Sequence, residues 1–217
     1  MVYVENTGQI QLTQELGQWI SRYAADERFS RFLEIGTWNG RGSTCCFYDG
    51  FVKRSTTYSL QSYEISAARV QEARSLWKDV PGIRILHGRV LQDHECPVFA
   101  AVNSMFPNMS TAWHAEDITN FWSSSYIPMN APEVVLLDGA EYLTHFEFES
   151  MKSIDSIRVF LLDDVYTDKC PRVFAYLEAH PEWTCVAKGK DRNGWAVFER
   201  ITSSSEQTPE TLSVPEQ

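Results

Sequence analysis

"RFLEIGTWNGRGST", residues 31–44, is the stretch from which the rest of the chain can be read. It runs from apolar residues around Glu34, through a turn carrying Gly36, Gly40 and Gly42, into Ser43 and Thr44. That order reads as a short buried strand, a turn of bare backbone and the start of a helix. Glycine reaches conformations that other residues avoid and lets a ligand come close, while a helix start leaves N–H groups unpaired. Two common nucleotide loops are excluded. A G-x-G-x-x-G fingerprint would need glycine at Trp38, and a P-loop would need lysine before Ser43.

Outward from this turn, strand and helix patterns alternate. Upstream, Leu12, Leu16, Trp19, Ile20 and Tyr23 recur at helical spacing within "IQLTQELGQWISRYAADERF". Downstream, "STCCFYDGFVK" reads as a helix, "TTYSLQSYEIS" as a second strand, "AARVQEARSLWKDV" as a helix stopped by Pro81 and Gly82, and "IRILHGRV" as a third strand. "EVVLLDG" and "RVFLLDDV" are nearly unbroken apolar runs, as expected of strands buried on both faces of a parallel sheet. "YLTHFEFESMKSI" and "CPRVFAYLEAHP" read as helices, the second beginning near Pro171. "TCVAKGKDRNGWAVFER" has turn chemistry at Asp191–Gly194 between two strand-like runs and reads as a hairpin.

The pattern predicts a Rossmann-like, doubly wound α/β sheet, mostly parallel, with an antiparallel hairpin at its C-terminal edge. Residues 1–201 are expected to form a single domain. Within it, the polar, proline-containing stretch 92–132 fits no clean period and reads as an insertion: a lid, a binding loop or an added helix. The Ser/Thr/Glu/Pro-rich tail, 202–217, is expected to be disordered.

Composition limits the partners. A formal net charge of −10 argues against nucleic acid, whose phosphates are bound by clustered Lys and Arg. An acidic surface is also simply a common one. No apolar run approaches a membrane span. The 5 cysteines form no CxxC pair and no signal peptide is read, so a cytoplasmic protein with reduced thiols is expected. The oligomeric state stays open, with a homodimer among the options.

In a parallel sheet, ligands bind beyond the carboxyl ends of the strands, so chemistry should sit there. Besides the glycine turn, three places qualify: Glu64 after the second strand, Asp138 after "VVLL", and Asp163–Asp164 after "VFLL". A carboxylate at Glu64 can accept both hydroxyls of a ribose. Asp138, Asp163 and Asp164 converging on one edge would repel one another unless a positive charge sits among them, and a hard cation with oxygen ligands such as Mg²⁺ suits them. The plainer reading of Asp163 and Asp164 is a solvated turn or helix cap.

"FLEIGTWNGRGST" followed by "YSLQSYE" resembles the first two motifs of the class I S-adenosylmethionine-dependent methyltransferases, over roughly residues 31–200. "LLDG" and "LLDDV" resemble the metal-dependent O-methyltransferases of the catechol and macrocin types. The resemblance implies S-adenosylmethionine as cofactor, bound around Glu34, Gly36, Thr37, Gly40, Ser43 and Glu64. It also implies Mg²⁺ on Asp138, Asp163 and Asp164, holding a hydroxyl of a sugar or other small-molecule acceptor and readying it for attack. The macrocin type has an acid directly after Asp-Gly; here Ala140 stands there and Glu141 follows. Glu141 or His145 is then the general-base candidate beside Asp138. A metal-free methyltransferase and a non-catalytic nucleoside-binding module stay open as alternatives.

Other residues have plainer readings. His145, on a helix with Phe146 and Phe148, reads as a packed or surface histidine, and His87, His94, His114 and His180 lack metal-ligand spacing. Glu116 and Asp117 read as a charged helix surface. Trp113, Trp122 and Tyr126 read equally as cover for a ligand or as filling of the insertion.

Overall fold

The computed structural model describes residues 9–201, so the predicted tail lies outside the described residues. Arg31–Ile35 (β1), Ser59–Glu64 (β2), Ile83–Arg89 (β3), Ser125–Tyr126 (β4), Val134–Leu137 (β5), Val159–Asp163 (β6), Trp183–Gly189 (β7) and Trp195–Arg200 (β8) form one sheet in the order 4-3-2-1-5-6-8-7. Strands β1 to β6 pair in parallel, whereas β8 runs antiparallel to both β6 and β7. The predicted hairpin thus closes the sheet edge.

Alternation along the strands divides the core. Phe32, Val134, Leu136, Val159 and Leu161 face the helices Glu15–Ala25 (α1), Ser43–Phe51 (α2) and Ala67–Trp77 (α3). Leu33, Ile35, Val135, Leu137, Phe160 and Leu162 face the opposite layer, with Phe148 and Met151 of the helix at Thr144–Met151 and with Val173 and Leu177 of that at Pro171–Ala179. Both faces of the central strands are therefore dry, which is why β5 and β6 read as continuous apolar runs. The first helix starts at Glu15, later than its periodicity implies, because the Gln14 side chain accepts the Gln11 N–H at 2.8 Å and makes a turn there.

Residues 92–132 hold two helices, Phe99–Met105 (α4) and Thr111–Ser123 (α5), followed by β4 on the sheet edge; in this order Thr144–Met151 is α6 and Pro171–Ala179 is α7. Their period is hidden because each buries so little: Val102 in α4, His114 and Phe121 in α5. Trp113 and Trp122 are exposed on α5 and do not line the cavity at the strand ends; Trp122 packs edge-on to Phe121. Arg89 fastens the end of α5, with its guanidinium over the Phe121 ring and donating to the Phe121 carbonyl at 3.1 Å.

Candidate active site

The carboxyl ends of β1, β2, β5 and β6 open into a cavity of about 690 Å³, closed on one side by α5. Among the described residues, three of the four non-glycine residues with left-handed backbone, Trp38 (φ 52°), Asp164 (φ 56°) and Arg192 (φ 58°), line it. Backbone held in that region is strained and is retained where the surroundings over-determine it. The lining has seven carboxylic side chains against three basic ones, a balance that suits a cationic ligand.

At the β2 end, Glu64 is 8% exposed, and its two oxygens accept the backbone N–H groups of Trp38 and Ser66, each at 2.8 Å. Burial pushes its carboxyl up, and these two bonds pull it back down. A carboxylate has about four acceptor sites, so two remain for a pair of ligand hydroxyls. Glu34, by contrast, does not line the cavity. Strand alternation turns it toward α2, where it is fully buried and accepts Ser43 Oγ at 2.5 Å, Thr44 Oγ1 at 2.8 Å and the Ser62 hydroxyl.

The glycine turn splits in the same way. Gly36 (φ 93°) borders the cavity, and a Cβ there would overlap the Asp138 carbonyl. Gly40 (φ 75°) instead admits the Trp77 indole, which donates to its carbonyl at 2.7 Å, and a Cβ on Gly42 would meet Gln9 at 2.9 Å. Bare backbone at these two positions thus serves packing rather than the close approach of a ligand. Thr37 is buried against the Ser62 hydroxyl, so Thr37, Gly40 and Ser43 stand behind the cavity wall.

Asp138, Asp163 and Asp164 do meet, each offering an oxygen within 4.8 Å of the others. The positive charge among them comes from the chain itself. Lys169 Nζ lies 2.8 Å from Asp138 Oδ1 and 2.7 Å from Asp164 Oδ2, while Arg192 reaches both oxygens of Asp163, at 2.7 and 3.3 Å. Asn193 donates to the other Asp164 oxygen at 2.9 Å. Burial pushes Asp138 up to about 7 even beside Lys169. It pushes Asp164 up as well, but Lys169 and Asn193 outweigh it and hold that carboxyl below the usual range. Hard oxygen donors of this number are what Mg²⁺ takes. With Lys169 and Arg192 in place, however, the corner does not fit a divalent ion.

A second acidic group lies opposite. Asp117 of α5 and Glu147 of α6 both line the cavity. Burial pushes Asp117 to about 7, and burial, Asp117 and Glu64 push Glu147 to about 8. Glu147 is 4% exposed and its Oε2 has no hydrogen-bond partner. Asp117 is thus no surface charge: the helix that carries it folds back over the strand ends.

Glu141 and His145 stay outside the cavity lining. Glu141 accepts the Asp168 N–H at 3.1 Å, and His145 packs edge-on to Phe146 with its charge disfavoured by burial. Lys169, Arg192 and Glu147 escaped the reading by pattern. Arg192 carried the only signal, a residue of the Asp191–Gly194 turn in the hairpin.

No protein-family model and no curated protein matches the chain by sequence. Solved structures do match its fold. An O-methyltransferase from Bacillus cereus in complex with SAH aligns with a TM-score of 0.56 at 16% identity, over 91% of this chain and 84% of that one. An SAH-bound methyltransferase from Podospora anserina aligns at 0.54 and 14%, over 86% and 78%. A methyltransferase from Geobacter sulfurreducens aligns at 0.53 and 9%, over 87% and 80%. The chain thus has the Rossmann-like fold of these methyltransferases.

Proposed function

We propose that the protein is an S-adenosylmethionine-dependent methyltransferase that methylates a hydroxyl of a small molecule, a sugar among the candidates. The observation that carries this is Glu64: a carboxylate at the β2 end, held by two backbone N–H groups and facing a cavity beside the Gly36 turn. That is where a ribose diol would be read. The acidic lining fits a sulfonium nucleoside, which supplies an activated methyl group when bound. The SAH-bound proteins of the same fold support the choice of nucleoside.

The chain's own part is to bind, orient and take a proton. Glu64 fixes the nucleoside, and Glu116, Asp117 and Asn120 of α5 wall one side of the cavity. The acceptor oxygen forms its bond to the methyl carbon as the sulfur–methyl bond breaks, with that electron pair staying on sulfur. The hydroxyl proton passes to a carboxylate of the Asp138–Asp164 corner, which lines the same cavity. Holding the oxygen in line with the methyl group supplies much of the rate. Lys169 and Arg192 already neutralise the carboxylates that would hold a metal, so no metal enters this reading. All five cysteines are free thiols, which suits a reducing compartment such as the cytoplasm.

Isothermal titration of the full chain with S-adenosylmethionine and with SAH tests this reading. Saturable binding of either is expected. Absence of binding for both, in folded protein, would remove the methyltransferase assignment and leave only the fold.

A further inference from the structure

The corner where β5 and β6 end contains a cation that cannot easily leave. Lys169 sits in the loop two residues before α7, with its side chain 10% exposed. The backbone around it is pinned: Asp168 N–H donates to Glu141, Lys169 N–H to Thr167 Oγ1 at 3.1 Å, and Cys170 N–H to the Asp164 carbonyl at 3.4 Å. The side chain therefore enters the carboxylate cluster from a fixed origin. Its ammonium occupies the space between Asp138 and Asp164 that an ion shared by them would need. Arg192 in turn covers both oxygens of Asp163 from the hairpin turn. A divalent ion placed here would have to bring oxygens to roughly 2.1 Å while pressed against an ammonium and a guanidinium. Mutual repulsion of the cations opposes this.

An ammonium has three donors, and the ion pairs with Asp138 and Asp164 use two of them. Lys169 also lines the cavity. We propose that Lys169 is the resident cation of this corner in place of a divalent metal, and that its third N–H holds the oxygen of the methyl acceptor. The second half rests on the methyltransferase reading; the first does not. A metal can grip two adjacent oxygens of one acceptor, whereas a single N–H grips one. The site therefore takes an acceptor through one hydroxyl, and a vicinal diol brings no advantage.

The test is Mn²⁺ binding followed by electron paramagnetic resonance on the full chain, with SAH titrated in parallel in EDTA. Wild type is expected to bind no stoichiometric Mn²⁺ and to bind SAH equally well with and without chelator. Lys169→Ser is expected to gain one Mn²⁺ site, at least about ten-fold tighter than wild type, and Lys169→Ser with Asp164→Asn to lose it again. One equivalent of Mn²⁺ on wild type, removed by Asp164→Asn, would overturn the proposal. So would a folded Lys169→Ser protein that gains nothing, since lysine would then not be filling a metal's place. If Lys169→Ser does not fold, the wild-type measurement with Asp164→Asn decides alone. Failure of SAH to bind would strike the methyltransferase reading and leave the Mn²⁺ result standing.

Discussion

The backbone N–H of Trp38 donates to Glu64 Oε2 at 2.8 Å, so the turn after β1 is fastened to the last residue of β2. The contact presents the Glu64 carboxylate to the cavity in one orientation, and it holds Trp38 in its left-handed conformation.

Glu64→Ala removes that carboxylate and, with it, the acceptor for a ribose diol. Charge-assisted hydrogen bonds contribute about 1.5–3 kcal/mol, so SAH affinity should fall roughly 10- to 100-fold. Calorimetry on folded variant would show it; an unchanged affinity would place the ribose elsewhere.

Glu34→Ala should behave in the opposite way. It strips the acceptor from the hydroxyls of Ser43, Thr44 and Ser62, all buried. A cost of about 2–4 kcal/mol in urea unfolding is expected, with SAH affinity of the folded fraction unchanged. A selective loss of affinity would instead give Glu34 the role beside the cofactor that the resemblance implies.

Gly36→Ala forces a side chain into a φ of 93° and into the Asp138 carbonyl. The ends of β1 and β5 would have to separate, and a loss of about 3 kcal/mol or more is expected. Urea midpoints compared with those of the wild type would show it; an unchanged midpoint would mean that the strand ends give way at no cost.

Glu147 makes stability depend on pH. Burial, Asp117 and Glu64 raise its folded value to about 8, from the ordinary glutamate value of 4.5. The folded protein therefore holds this proton where the unfolded chain has released it, and stability falls as pH rises between those values. Glu147→Gln should leave melting almost unchanged near pH 4.5 and stabilise the ligand-free protein by about 2–4 kcal/mol at alkaline pH. Parallel melting curves across that range would contradict the assignment.

Much of this was legible along the chain. Phe32 and Leu33, the "VVLL" of β5 and the "VFLL" of β6 announce strands buried on both faces, because the side-chain period of a strand leaves no polar position when both faces are dry. The acids that follow such runs mark the strand ends. The helices of residues 92–132 were not legible, since one or two buried residues per helix produce no period. Asp117 looked like a surface charge for the same reason.

The sequence by itself therefore determined the order of strands and helices outside residues 92–132, the glycine turn, and Glu64, Asp138, Asp163 and Asp164 at the carboxyl ends. Only the tertiary structure decided which charges are neighbours. Lys169 lies 31 residues from Asp138 and Arg192 lies 29 from Asp163, each in a loop without periodicity. Electrostatic pairing depends on distance through space, and the stacking of β5, β6 and β8 in one sheet is what brings those loops to a single corner.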